Sequence, residues 1–130
     1  PSKLAMGKGW AMVTGELKLW LNKLALPEEY TLIMIGHEKR DRIKTRGGEE
    51  YDFTTLNLGG KNKDAVLAFP DHILLVDVKD EVGIEKRIIR TQGGRYWEAG
   101  SRNPNIECRG EIELSYEALV NCLVREGGSE

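Results

Sequence analysis

Between Gly36 and Phe69 the chain reads GHEKRDRIKTRGGEEYDFTTLNLGGKNKDAVLAF, and most of the side chains able to do chemistry sit there. Residues 38–46 hold five basic and two acidic side chains. Lys39, Arg40, Arg42, Lys44 and Arg46 supply the cations, and Lys61 and Lys63 add charge further along. Tyr51 and Phe53 lie between the glycine pairs Gly47-Gly48 and Gly59-Gly60. Cations can track phosphates while rings stack on bases, so this mixture suits a groove for single-stranded nucleic acid. Glu49, Glu50 and Asp52 support the plainer alternative, a solvated surface loop. A structureless stretch of this length is uncommon in a compact domain unless it is functional or disordered.

His37 stands at the end of an apolar run and can both donate a hydrogen bond and carry charge, as a phosphate reporter must. The alternative is a histidine hydrogen-bonded at a strand end. Glu38 beside it could orient a water or be solvated, and His72, after Pro70-Asp71, reads as structural. No serine or cysteine nucleophile is paired with a histidine. Asp71, Asp77 and Asp80 follow no metal-ligand spacing rule. The two cysteines, Cys108 and Cys122, form no CxxC and read as reduced thiols.

A chain of 130 residues suits one domain with a modest core. A hydrophobic content of 40% and a charged content of 31% are ordinary for a soluble globular protein. The formal net charge of −2 argues against wholesale coating by nucleic acid, but a field acts through where its charges sit. No apolar run has the length of a membrane span or of a signal-peptide core. A soluble intracellular domain is therefore expected.

The elements that would position these residues follow from periodicity. Trp10, Val13, Leu17, Trp20, Leu21 and Leu24 recur at helical spacing from Gly9 to about Ala25, and Pro27 ends that helix. Residues 31–35, Thr-Leu-Ile-Met-Ile, have the apolar continuity of a strand buried on both faces, as in a parallel sheet. After the basic stretch, Asn62 to Phe69 reads as a helix ended by Pro70. His72 to Val78 and Glu85 to Thr91 read as a hairpin turning at Asp80-Glu81-Val82-Gly83. Gly93-Gly94 marks another turn, Arg95 to Ala99 a short aromatic strand, Asn103 to Asn105 a loop, and Ile106 to Leu114 a last strand. Ser115 is placed to cap a final helix through about Val124, with Glu117 in its first turn. The expected organisation is one α/β domain over 1–126, with a disordered tail at 127–130. Trp10, Trp20 and Trp97 read as core or interface packing.

A buried strand, then GHEK, a basic glycine-containing loop and LGGKNKDAVLAFPDHILLVDV together resemble the C-terminal half of a RecA-like P-loop ATPase core. The likeness is closest to the recombination and single-strand-annealing ATPases of bacteriophages. It implies a mixed sheet with parallel strands, an antiparallel hairpin edge and flanking helices. It also implies that Ile35-Gly36-His37 matches the strand end that senses the nucleotide γ-phosphate. Residues 38–58 match the mobile DNA-binding loop, and Gly59-Gly60, Ala65, Leu67 and Phe69 the helix that follows. RIIRTQGGRYWEAGSRNP is similar to the region carrying a Lys-x-Arg pair at a subunit interface. Here that pair is Gly100-Ser101-Arg102, so the arginine alone is present.

By resemblance, His37 and Arg102 are the catalytic residues. Lys39, Arg40, Arg42, Lys44, Arg46, Tyr51, Phe53 and Lys61 are those that contact single-stranded DNA. ATP and magnesium are implied for an intact relative, as are an oligomer and a cytoplasmic, phage- or prokaryote-encoded protein. The chain has no G-x-x-x-x-G-K-[ST] and no apolar strand ending in Asp ahead of its first helix. In the RecA order both would precede Pro1, so no hydrolysis is expected from these residues alone. A domain lacking those strands would expose sheet edge and apolar helix face, which favours self-association. The alternative of another class is a stand-alone protein-interaction domain with no nucleotide or DNA role.

Overall fold

The computed structural model describes residues 6–26, 31–107 and 110–127. Pro27, Cys108 and residues 128–130 of the tail expected at 127–130 lie outside the described residues, while Gly127 ends the last helix and is not tail. Contacts group the chain into two compact units. The first comprises Pro1–Lys39 and Leu56–Pro70, the second Arg40–Thr55 and Asp71–Glu130.

In the first unit, helix α1 (Met6–Ala25) packs on helix α2 (Gly60–Ala68). Helical spacing brings Thr14, Leu17 and Leu21 to one side of α1, and Thr14 and Leu21 are buried with Ala65 of α2. The Thr14 hydroxyl donates to Asn62 Oδ1 at 2.6 Å. The same apolar stripe continues past the part that α2 covers. Trp10, Val13, Trp20 and Leu24, expected as packing residues, are all about half exposed or more.

The strand expected at 31–35 is not formed. Residues 31–37 carry no ladder, and Ile33 (73%) and Ile35 (92%) are open to solvent. The apolar pattern was that of a strand between two neighbours, and among the described residues no strand pairs with this segment. Without a ladder its backbone has no reason to hold a strand conformation.

The stretch expected as a long irregular loop is instead a β-hairpin, β1 (Glu38–Lys44) with β2 (Glu50–Leu56). Its register is visible at both ends. Thr45 N donates to Glu49 O, and Asn57 N donates to His37 O, each at 2.8 Å. The connection is short: Gly48 N donates to Thr45 O at 3.1 Å, and Gly48 has φ +88. That is the three-residue hairpin in which a tight turn ends on a left-handed residue, a place suited to glycine.

In the second unit, β4 (Leu75–Glu81), β5 (Ile84–Arg90) and β7 (Glu111–Glu113) form a sheet in the order β4-β5-β7, with both pairs antiparallel. A separate antiparallel pair joins β3 (His72–Ile73) to β6 (Gly100–Ser101). The mixed sheet with parallel strands is therefore corrected. Every described ladder whose register is given is antiparallel, and the one parallel contact is an isolated bridge, Thr54 to Trp97. The aromatic strand expected at 95–99 reduces to that bridge. The last strand shrinks to β7, because helix α3 (Pro104–Glu107) takes up its start. Pro104 opens α3, and a proline is well suited to a first helical position, where no N–H is needed.

Helix α4 (Tyr116–Gly127) begins as expected, with Ser115 Oγ accepting the Ala118 N–H at 3.0 Å. The core of this unit gathers Ile88, Ile89, Ile106, Thr91 and Cys122. The Thr91 hydroxyl donates to the Ile106 carbonyl at 3.0 Å, which ties the end of β5 to α3.

The β4–β5 turn, Val82-Gly83, has φ +54 and +78, so both central residues are left-handed. Such turns match strand twist but favour Asn-Gly, and a β-branched residue is strained there. Val82 is 96% exposed, so its side chain contributes no burial. Val82→Asn is expected to stabilise the protein by about 1 kcal/mol, read as a higher urea midpoint.

Candidate nucleic-acid interface

Strand alternation sorts the residues of β1. Lys39, Asp41 and Ile43 are half-buried on one face, while Glu38, Arg40, Arg42 and Lys44 are exposed on the other. On β2, Tyr51, Phe53 and Thr55 take the more buried positions, and Glu50 and Asp52 the exposed ones. The exposed face is thus a row of three cations with Glu38 at its start and two carboxylates of β2 beside it, and the aromatic residues lie on the reverse face of the same ribbon.

The carboxylates act mainly on one cation. Arg42 pairs with Asp52 at 3.1 Å and Glu50 at 3.3 Å, an exposed arrangement of small energetic weight. Lys44 and Arg46 make no ion pair among the described residues. Arg40 lies near enough to Asp77 to act on it through its charge. Arg40, Lys44 and Arg46 are therefore the cations this face offers to an anion.

Tyr51 packs edge-on against Tyr96 with centroids 5.7 Å apart. The Arg95 guanidinium lies 4.8 Å from the Tyr51 centroid and 5.8 Å from that of Tyr96, and it pairs with Glu49 at 3.1 Å. Main-chain bonds hold this segment to β2. Thr54 N donates to Tyr96 O at 2.8 Å, and Glu98 N donates to Thr54 O at 2.9 Å. Arg95 and Tyr96 were absent from the residues expected to bind. Their partners lie more than forty positions upstream, and no local spacing announces such a contact.

Of the other expected site residues, Arg102 is exposed and its side chain pairs with Asp71 at 3.1 Å. His37 and Lys61 belong to the first unit. His37 is exposed, and its carbonyl bonds Asn57 at the base of the hairpin. Lys61, also exposed, borders a groove of about 400 Å³ between α1 and α2 with Lys18, Leu21 and Phe69. His72 Nδ1 lies 2.6 Å from Ser101 Oγ, across the β3–β6 pair.

The residues present do not fit a magnesium–triphosphate group. The sequence has no phosphate loop, and the described residues contain no cluster of three His, Cys, Asp or Glu side chains that could hold a metal. No step of hydrolysis is derived through it.

The β4-β5-β7 sheet supports the hairpin's neighbour loop through Arg90. Its Nε donates to Asp77 at 2.8 Å, and its guanidinium stacks on the Trp97 ring, 4.3 Å from the centroid. The hydrogen bond from Arg90 holds the Asp77 carboxyl below its ordinary pKa, against a smaller opposing effect of burial. The hydrogen bond from Lys79 likewise lowers Glu111 and raises Lys79. A carboxyl with a depressed folded pKa stabilises the fold above its unfolded pKa, and that contribution is lost as pH falls through the folded value. Lys79, shifted up, contributes below its unfolded pKa and loses the effect at strongly alkaline pH. Stability is expected to fall below about pH 4, with a shallower acid limb in Asp77→Asn, measured by urea unfolding across pH.

A family model described as an AAA domain matches residues 2–103. The chain belongs to that family, the AAA-type P-loop ATPases. No curated protein and no solved structure matches it. Among the described residues, no helix is long and apolar enough to cross a membrane.

Proposed function

We propose that these residues form the single-stranded-DNA-contacting, later part of a RecA-like recombination ATPase core of the bacteriophage kind, with the β1–β2 hairpin as the contact. The observation that carries this reading is the exposed face of β1, where Arg40 and Lys44 stand four residues apart on either side of Arg42, with Arg46 following in the turn. Along a strand Arg40 and Lys44 lie about 13 Å apart, so they can reach phosphates two apart on an extended single strand. The family match supports the ATPase side of the reading. Without a phosphate loop, these residues alone are expected to bind DNA and not to turn over ATP.

His37 and Arg102 remain the proposed links to a nucleotide held by other parts of an assembled core. Lys39, Tyr51, Phe53 and Lys61 stay as proposed DNA contacts of less exposed or separate placement. Self-association is proposed too, supported by the solvent-exposed row Trp10, Val13 and Trp20 on α1.

That same row favours the second reading, a protein-interaction domain without a DNA role. Fluorescence anisotropy of a labelled single strand across salt separates the two. With about three phosphate contacts, log affinity is expected to fall against log salt with a slope of about −2. No binding at about 20 mM salt would leave the interaction domain standing.

A further inference from the structure

We infer that Tyr96 and Tyr51, bracketed by Arg95, form a stacking platform for an unpaired base of single-stranded nucleic acid. This rests on the hairpin reading above and deepens it. The cations of β1 attract phosphates, which every nucleotide shares, while a ring platform recognises the base.

Three observations carry the inference. Tyr96 is 50% exposed although its ring already meets Tyr51, so one side of the pair is open to a ligand. The exposed segment Gln92–Tyr96 that presents it is held from beneath. Trp97 Nε1 donates to Gln92 O at 2.8 Å, and Gly94 N donates to Trp97 O at 3.2 Å. Gly93 lies so close to the Ala99 backbone that a Cβ there would stand 2.6 Å from the carbonyl oxygen. A platform fixed before binding loses little conformational entropy when a base arrives.

The third observation is charge. Arg95 is paired with Glu49, so the cluster of Tyr51, Arg95, Glu49 and Tyr96 has no net charge. A base can stack on the exposed Tyr96 ring, which Tyr51 meets edge-on and Arg95 flanks, but the cluster adds little to the attraction for phosphate. Binding there should depend on bases and hardly on salt. That is the opposite signature to the face carrying Arg40, Lys44 and Arg46.

The test compares a thymidine oligonucleotide with an abasic strand of equal length, at several salt concentrations, on the whole chain. The wild type is expected to prefer the thymidine strand by about tenfold or more. Tyr96→Ala should abolish that preference while leaving abasic affinity and salt slope unchanged, and Tyr96→Trp should restore it. Equal binding of both strands by the wild type, or a preference that survives Tyr96→Ala, would overturn the platform and leave the hairpin reading intact. Failure of both strands to bind at low salt would overturn the two together. A drop in abasic affinity as large as the thymidine drop in Tyr96→Ala would mark Tyr96 as structural and also overturn the platform.

Discussion

Replacing Arg40, Lys44 and Arg46 together with alanine is expected to weaken single-stranded DNA binding by on the order of 10- to 100-fold at low salt. The salt slope should flatten by about 2 units, because each lost phosphate contact removes about 0.7 of slope on a single strand. The three residues are chosen by geometry. Arg42 sits between Arg40 and Lys44 on the same face but is already engaged with Glu50 and Asp52. Lys39 lies on the half-buried face. Arg42→Ala alone should therefore change affinity little through lost contact, and what it does change should come from the two carboxylates it leaves unpaired. All three chosen side chains are exposed, so the triple variant should keep the wild-type unfolding midpoint within about 0.5 kcal/mol. A triple variant that binds as well as the wild type would remove the exposed face of β1 from the account.

The largest expected effect on stability comes from Ile106→Ala, at about 3 kcal/mol. Ile106 is fully buried in α3, and its carbonyl receives the Thr91 hydroxyl. Truncation to alanine removes three buried carbons and leaves a cavity in a small core, where the loss of transfer energy and the cavity cost add. The backbone bond to Thr91 survives the change, so the whole effect should be packing. Ile106→Val, which keeps most of the volume, should lose only about 1 kcal/mol. Urea unfolding followed by tryptophan fluorescence measures both. An Ile106→Ala effect below about 1 kcal/mol would mean that this site is not the packed centre of its unit.

Where local chemistry sets local structure, the sequence could be read. The 3.6-residue spacing from Trp10 to Leu24 announced α1, the helix read from Asn62 to Phe69 before Pro70 is α2 begun two residues earlier at Gly60, and Ser115 marked the start of α4. The β4–β5 hairpin was legible from its two apolar runs around Val82-Gly83. What failed were judgements that depend on a neighbour. Residues 31–35 have the composition of a doubly covered strand, but composition carries no information on whether a ladder partner is present. The β1–β2 hairpin was hidden because EKRDRIK puts charge on both faces, with Lys39 and Asp41 at positions where an apolar residue usually signals the inner side.

The candidate site divides in the same way. The cations and Tyr51 were visible as a cluster in sequence, but their separation onto opposite faces required the strand register. Arg95 and Tyr96 reach Glu49 and Tyr51 only through the Thr54–Trp97 bridge, a contact between distant segments with no periodic signature. The absence of a phosphate loop could be read directly, since that motif is a contiguous string.

The central claim is that the hairpin and its neighbouring loop are where a single strand lies. Photocrosslinking of a bromodeoxyuridine oligonucleotide to the whole chain, followed by peptide mapping, tests this most directly. The expected crosslinks fall within residues 40–53 and 95–97, with Tyr51 and Tyr96 prominent. Crosslinks confined to α1 and α2, or none under conditions where anisotropy reports binding, would contradict it.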